Sequence, residues 1–353
     1  MKRGLIKAIM IIASLAMICS CASLQKYDEA VLAERMQDFI INISEYAQPY
    51  AKQKHNDPNF HFIIIPQNGG ELIFNNADQD HGLRQSFVNV VDGFGMEELF
   101  YDRRAVDDVW GRMPAVRAIH DLGKKIMVAD YVSTETYRTE SIQKNKNEGY
   151  ISFQRVGFPM GKDNYDYLFI PETPITDSNT DDINVLSDAM NYLYLISSDE
   201  FARGAGTVQQ KKQTMINAIA ATNYDVILID LFFYDTDNDS YIIYTPDDIK
   251  TLKRKPGGQN RLVIAYMNIG SAENYRYYFQ KGWKKGRPSW LKKDYEDYPD
   301  EFFVEYWNPE WQNIIYGDKG DNYGNDSYTK KIIDAGFDGA YLDNVEAYWE
   351  LAN

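Results

Sequence analysis

Cysteine and histidine are scarce in this sequence, which limits the chemistry available to it. Of its 353 residues two are cysteines, Cys19 and Cys21, both close to the N-terminus. The rest of the chain therefore offers no disulfide, thiolate nucleophile or cysteine metal site. The 4 histidines show no ligand spacing such as HExxH. The segment 235–241 (DTDNDSY) resembles the start of a calcium loop, but Ser240 and Pro246 replace the required Gly and Glu, which predicts a solvated turn. We therefore expect no metal and no cofactor.

Positive charge is also in deficit. The chain has 37 Lys and Arg against 52 Asp and Glu, a formal net charge of −15. Phosphate binding needs a basic face, so nucleic acid is not an expected partner. An acidic surface would suit a cationic ligand, although a solvated acidic surface is the commoner meaning of such a charge.

The chain has no apolar run long enough to span a bilayer. Its first residues combine a positive segment (Lys2, Arg3, Lys7), an apolar run over 8–18 and then Cys21, a pattern similar to a bacterial lipobox. It predicts a signal peptide over 1–20, lipidation of Cys21 and a tether over 21–33. The protein would then be anchored to a membrane of the cell envelope. An uncleaved anchor helix is the alternative, which the short apolar run disfavours.

Extended apolar segments alternate with helical stretches through the rest of the chain. The eight segments are 60–68, 88–95, 124–132, 149–156, 224–233, 261–270, 302–307 and 339–348. Several are apolar throughout, as expected of strands that are covered on both faces. The pattern predicts an α/β fold, a (β/α)₈ TIM barrel that forms one monomeric domain over 34–353.

Three other segments qualify this prediction. Apolar residues over 31–50 follow helical spacing and predict a long amphipathic helix. The segment 191–197 (NYLYLIS) fits either a ninth strand or a helix, and the sequence does not decide between them. Residues 157–190, with their Pro, Gly, Asn and Asp, indicate an insertion over one face of the barrel rather than a second domain.

Polar and aromatic residues follow the predicted strands, and a barrel brings all the carboxyl ends of its strands to one rim. Aromatic faces stack on sugar rings, amides bind hydroxyls, and two carboxylates can cleave a glycosidic bond. A single Asp at a strand end can instead be a helix cap or turn former, and Tyr306 and Trp307 can instead pack in the core. The candidate sugar contacts are Gln67, Asn68, Tyr101, Asp130, Tyr131, Asp230, Glu273, Tyr306, Trp307 and Asn344.

Longer blocks resemble one enzyme family. The segments VIAYMNIGSAENYRYYF, FFVEYWNPEWQNII and AGFDGAYLDNVEAY, with FHFIIIPQNGGEL, DGFGMEELFYD and KKIMVADYV, resemble the endo-α-1,4-polygalactosaminidases of glycoside hydrolase family 114. The blocks cover most of residues 36–344. The resemblance implies a TIM barrel that cleaves an α-linked amino-sugar polysaccharide. The blocks stand in rotated order relative to the family, which indicates a circular permutation in which 36–50 completes the helix after Tyr348.

The resemblance also implies a catalytic pair. The family's Asp and Glu fall on Asp343, as nucleophile or stabiliser, and on Glu97, as acid/base. Glu98 is the weaker choice, because adjacent residues of an extended segment point to opposite faces. One departure affects the substrate prediction: Ser271 stands where the family often has Glu.

Two other functions remain open at this stage. A non-catalytic glycan-binding lipoprotein could use the same barrel, because a fold does not establish an activity. A scaffold that packs against cell-wall partners would instead have its cup blocked by residues 157–190.

Overall fold

The computed structural model describes residues 27–106, 111–157, 169–235, 237–238, 240–296 and 298–353. The predicted signal peptide, Cys21 and the first part of the tether lie outside these residues. Within the described part, no helix combines the length and apolar character needed to cross a membrane.

The described residues form 13 strands and 10 α-helices. The strands are β1 (Ile63–Pro66), β2 (Gly93–Ala105), β3 (Lys125–Val132), β4 (Ile151–Val156), β5 (Tyr192–Leu195), β6 (Val226–Asp230), β7 (Phe232–Asp235), β8 (Ser240–Ile243), β9 (Leu262–Asn268), β10 (Ser271–Glu273), β11 (Leu291–Asp294), β12 (Glu301–Val304) and β13 (Gly339–Asp343). The helices are α1 (Glu29–His55), α2 (Gln85–Val88), α3 (Met113–Asp121), α4 (Glu135–Glu148), α5 (Asp199–Ala202), α6 (Val208–Ala220), α7 (Pro246–Leu252), α8 (Pro309–Ile315), α9 (Tyr328–Ala335) and α10 (Ala347–Ala352).

Two parallel sheets form the centre of this mixed α/β fold. One has the strand order β1-β13-β9-β6-β5 and the other the order β2-β3-β4. A parallel bridge between Gln67 and Gly95 connects β1 to β2. On the other side, the ring centroids of Phe153 on β4 and Tyr192 on β5 lie 6.0 Å apart. All the carboxyl ends in each sheet therefore lie at one edge.

All eight predicted segments contain a strand, and seven of them belong to the parallel sheets, whereas the prediction that 302–307 joins them was wrong. That segment contains β12, which pairs antiparallel with β10 and β11 in a separate sheet. The eighth parallel strand is instead β5, which comes from the segment that the sequence left undecided and pairs with β6. The burial of the two strands gives the reason: β5 is buried at every position, as a covered parallel strand must be, whereas β12 is only half buried.

The predicted amphipathic helix is confirmed as α1. Asp28 caps it by accepting a hydrogen bond from the Ala30 amide at 2.9 Å, and a buried face including Met36, Phe39 and Ile43 packs on the core. Residues 29–33, which the sequence assigned to the tether, already belong to this helix. α1 contacts α10, the last helix of the chain.

The described part of the predicted insertion crosses the amino ends of the strands. Lys255 Nζ contacts Asp225 Oδ1 at 2.6 Å and donates to Asn179 Oδ1 at 2.9 Å, and the Ile183 amide donates to the Asn260 carbonyl at 3.0 Å. Asp225 directly precedes β6, so this end of the sheet lies opposite the carboxyl ends. Residues 158–168 of the insertion lie outside the described part of the chain.

Candidate active site

A cleft with an empty volume of about 900 Å³ opens where the parallel strands end. Carboxylates, amides and tyrosines dominate its lining. It is lined by Gln67, Asn68, Glu97, Tyr194, Ile196, Ser197, Asp230, Tyr266, Glu273, Tyr275, Arg276, Tyr295, Tyr298, Glu301, Asp343, Asn344 and Glu346. None of the described insertion residues (169–190) belongs to this lining, so they do not block the cup as the scaffold function predicted.

Glu97 reaches the cleft from β2 and is surrounded by hydrogen-bond donors. Its carboxylate accepts hydrogen bonds from the Gln67 amide and from the Tyr131 hydroxyl, the latter at 2.6 Å, and the Arg155 guanidinium lies 4.0 Å away. Burial raises the pKa of Glu97, while the charge of Arg155 opposes that rise. A carboxyl group whose pKa is raised in this way can hold a proton for general-acid catalysis.

A bulge in β2 aims Glu97 at the cleft. The pairing of β2 with β3 shifts register after Glu97, and Glu98 has a φ of 53°, in the left-handed region that side chains rarely occupy. Arg112 holds this backbone by donating to the Glu97 and Glu98 carbonyls at 2.8 and 2.7 Å. Glu98 does not line the cleft, in agreement with its lower ranking from sequence.

Asp343 is the last residue of β13 and lies in the same cleft. The Tyr266 hydroxyl donates to its Oδ2 at 2.5 Å and the Asn344 amide to its Oδ1 at 2.7 Å. Burial and then the charge of Glu97 raise the pKa of Asp343 to about 7. Gly95 gives this strand room, because a Cβ there would lie 1.7 Å from the hydroxyl oxygen of Tyr341.

Glu301, another carboxyl group of the cleft, was missed by the sequence analysis. It lies on the antiparallel strand β12, and its Oε2 accepts hydrogen bonds from the Ser271 hydroxyl at 2.5 Å and from the Asn268 amide at 3.1 Å. Asn344, next to Asp343, donates to the same oxygen at 3.5 Å. Burial and the charge of Glu273 raise the pKa of Glu301 to about 8. The one sequence signal that pointed here was the unusual Ser271.

Arg276 was also missed, and it neutralises two predicted sugar contacts. Its guanidinium lies 2.7 Å from Asp230 Oδ2 and 2.7 Å from Glu273 Oε2. Burial raises the pKa of Asp230, against the charge of Arg276. Both carboxylates therefore line the cleft as ion-paired groups. No sequence pattern pointed to Arg276, which follows β10 in a loop.

The structure places four predicted sugar contacts away from the cleft. Asp130 is fully buried and accepts from Ser141 Oγ at 2.7 Å, and Tyr101 donates to Glu140 at 2.9 Å. Tyr306 donates to the Leu32 carbonyl at 2.7 Å, and Trp307 packs beside α1, so both take the core-packing alternative. Tyr131 does not line the cleft but donates to Glu97, whereas Gln67, Asn68, Asp230, Glu273 and Asn344 all line it.

The part of the chain that the structure describes brings no three His, Cys, Asp or Glu side chains together as a metal site. In the segment that resembles a calcium loop, both carboxylate oxygens of Asp235 accept from Lys211 Nζ, at 3.0 and 3.2 Å. Asp237 is paired with the same ammonium at 3.3 Å, and Asp239 lies outside the described residues.

The chain is similar to three curated proteins, each of which is named an uncharacterized protein. It is 36% identical over 136 residues to one from Deinococcus radiodurans, 36% over 142 residues to one from Methanocaldococcus jannaschii, and 32% over 133 residues to one from Thermotoga maritima. Each alignment covers 37–40% of this chain and only 36–38% of the relative. The chain thus spans little more than a third of the length of the relatives it matches.

A family model gives the second comparison. The model of glycoside-hydrolase family GH114 matches residues 198–353, which include Asp343, Glu301 and Arg276. Glu97 lies before the matched segment. The part of the chain from 198 to 353 belongs to glycoside-hydrolase family GH114.

Proposed function

We propose that the protein is a glycoside hydrolase that uses Glu97 and Asp343 as its catalytic pair. The observation that carries this proposal is that both carboxyl groups line one cleft, at the carboxyl ends of parallel strands, and both have raised pKa values. The family membership of residues 198–353 supports the same reaction class.

The surroundings of each carboxyl group suit a different role. Glu97, whose pKa is raised by burial, donates a proton to the leaving glycosidic oxygen. Asp343, ionised, attacks or stabilises the sugar carbon that develops positive charge, and Tyr266 and the Asn344 amide hold its two oxygens in place. Water then completes the hydrolysis, with Glu97 acting as base to take a proton from it.

We further propose an amino-sugar polysaccharide of the α-1,4-galactosamine type as the substrate. Its deacetylated units carry positive charge, which the acidic cleft would attract. Among the described lining residues Arg276 is the single cation, and it is already paired with Asp230 and Glu273. Glu301 and Glu346 are further carboxyl groups on the cleft wall.

A reducing-end assay on partly deacetylated α-1,4-galactosaminogalactan tests the activity. We expect release by the wild-type protein, loss of at least a hundredfold in Glu97→Gln and Asp343→Asn, and near wild-type activity in Glu98→Gln, the matched neighbour outside the cleft. Binding without cleavage by the wild-type protein would instead support the alternative, a non-catalytic glycan-binding protein on the same barrel. Cleavage that survives in both variants would exclude this pair.

We also propose that the eight parallel strands close into a circularly permuted barrel, and that lipidated Cys21 anchors it in the cell envelope. The Gln67–Gly95 bridge, the Phe153–Tyr192 contact and the contact of α1 with α10 support the barrel. The N-terminal sequence pattern alone supports the anchor. In a bacterial host, Cys21→Ser should move the protein from the membrane fraction to the soluble fraction, and an unchanged distribution would exclude the anchor.

A further inference from the structure

A second cavity adjoins the carboxylate cleft. Its aromatic wall, which we call the aromatic pocket, consists of Phe232, Tyr234, Tyr241, Tyr275 and Tyr277. Tyr275, together with Asp230 and Arg276, lines both cavities. The two cavities are therefore neighbouring parts of one continuous surface.

The hairpin of β7 and β8 forms much of the aromatic pocket and is firmly attached to the fold. Ser198 Oγ donates to the Tyr234 carbonyl at 2.7 Å and accepts from the Tyr234 amide at 2.9 Å. Asp235, at the end of β7, is paired with Lys211 of α6 at 3.0 Å. The wall is thus held in place by contacts on both sides.

Two rings of the aromatic pocket are open to solvent. Tyr241 is 39% and Tyr275 41% exposed, while Phe232 is buried behind Tyr241 with ring centroids 5.2 Å apart in edge-to-face contact. The polar residues that also line this cavity are Ser197, Ser198, Asp199 and the Asp230–Arg276 ion pair. Exposed aromatic faces beside hydroxyl and carboxylate groups suit a sugar ring, which has apolar C–H faces and polar edges.

We propose that the aromatic pocket is a binding subsite for sugar units of the same polysaccharide that lie beyond the scissile bond. This inference rests on the proposed function. A chain bound across Glu97 and Asp343 can continue past Asp230 and Tyr275 into the aromatic pocket, because these two residues line both cavities. The subsite supplies affinity for long chains and does not act on the reacting atoms.

Calorimetry with α-1,4-linked galactosamine oligosaccharides, from the disaccharide to the octasaccharide, tests this subsite. The Glu97→Gln protein serves as the parent so that the ligands are not consumed. In it we expect Tyr241→Ala to bind the octasaccharide about tenfold more weakly, since a stacking face is lost, and the disaccharide as before. Tyr323→Ala, which removes a ring 56% exposed and outside both cavities, should change neither affinity.

Tyr241→Leu protects the test against a folding defect, because it keeps apolar volume on the hairpin while removing the aromatic face. If Tyr241→Ala also loses disaccharide binding, the result for Tyr241→Leu is used in its place. The subsite would be overturned if the variant that is used bound the octasaccharide as tightly as the parent does. A loss of affinity for long chains alone would support the subsite even if the wild-type protein released no reducing ends. That second outcome would contradict only the proposed hydrolysis. Failure of every oligosaccharide to bind would overturn both the subsite and the substrate.

Discussion

At the scale of single residues, Tyr266 lowers the pKa of Asp343, the carboxyl group that must be ionised in the proposed mechanism. Its hydroxyl donates to Asp343 at 2.5 Å, and a hydrogen bond to a carboxylate lowers its pKa. With the pKa of Asp343 at about 7, activity should rise as the pH increases through that value. In Tyr266→Phe the carboxylate loses its donor, so the acid limb of kcat/KM should move upward by roughly one pH unit.

The pH profile of kcat/KM for wild type and Tyr266→Phe measures this shift. Tyr323→Phe removes a hydroxyl outside the cleft and should leave the profile in place. An acid limb that stays at the wild-type pH in Tyr266→Phe would show that Asp343 is not the group that titrates there.

Glu301 gives a second prediction at this scale, since it contacts the residues around Asp343 rather than taking part in the proposed proton transfer. Its pKa of about 8 leaves it mostly protonated at pH 7, where glutamine has nearly the same shape and polarity. We expect kcat/KM of Glu301→Gln to stay within about threefold of wild type at pH 7. Glu301→Ala, which leaves Ser271 and Asn344 without this acceptor, should lose at least about tenfold.

Steady-state kinetics on the same polysaccharide separate the two variants. Equal activity of Glu301→Ala and wild type would show that this hydrogen-bond network is dispensable. A loss in Glu301→Gln as large as in Glu301→Ala would show that the negative charge itself is needed.

The residues that could be predicted from sequence differ physically from those that could not. Asp343 and Glu97 were predicted because a family resemblance assigned them; Asp343 lies within a segment predicted as a parallel strand, and Glu97 follows another such segment. Glu301 reaches the cleft from an antiparallel strand and Arg276 from a loop. Neither placement produces a hydrophobic periodicity that could be recognised in the sequence. Tyr306 was misplaced because its segment was assigned to the barrel, whereas its hydroxyl binds the backbone of α1.

At the scale of elements, the parallel sheet contains residues 192–195 and not the predicted segment 302–307. Apolar runs therefore indicate that a strand forms, but not which sheet it joins. Both segments are rich in aromatic and aliphatic residues, and both form strands. Which one joins the parallel sheet depends on the partner strand: β5 pairs with β6 from Tyr192 to Leu195. Pairing of this kind joins residues distant in sequence, so hydrophobic periodicity does not reveal it.

A buried ion pair at the amino ends of the strands, Lys255 with Asp225, contacts the insertion and yields an element-scale prediction. Lys255 and Asp225 are both fully buried, and Asp225 also accepts from the Met190 amide at 2.8 Å. Lys255→Met would leave a buried carboxylate without its cation, so we expect the free energy of unfolding to fall by about 3–5 kcal/mol. Urea unfolding followed by circular dichroism measures this change.

A surface ion pair provides the control for that experiment. Lys285 and Asp294 are 56% and 61% exposed, so Lys285→Met should cost no more than about 1 kcal/mol. Because the buried pair lies at the end of the strands opposite the cleft, the Lys255→Met variant should have the kcat/KM of wild type as long as it remains folded. A loss of stability no larger than that of the control would show that the other hydrogen bonds to Asp225 hold the insertion in place.

At the scale of the whole molecule, the two ends of the parallel strands have separate tasks. The carboxyl ends carry Glu97, Asp230 and Asp343 in an open cleft, while the amino ends are crossed by the described part of the insertion and tied by Lys255. The sequence predicted a cup at the carboxyl ends because polar residues follow the strands there. It could not predict which end the insertion would cover, since that depends on ion pairs between residues far apart in the chain.

The proposed circular permutation gives a prediction for the whole chain. α1 contacts α10, so a short Gly/Ser linker from Asn353 to Asp28 should join them without disturbing the core. Opening the chain between Gly204 and Ala205, in an exposed loop before α6, would then place β6 ahead of the other main parallel strands. We expect this variant to fold and to retain the activity of its parent, as measured by circular dichroism and the reducing-end assay.

Opening the chain between Ala265 and Tyr266, inside the fully buried strand β9, should prevent folding and serves as the control. If the loop-opened variant also failed to fold, the contact between α1 and α10 would not be equivalent to a continuous connection, and the permutation would lose its structural support.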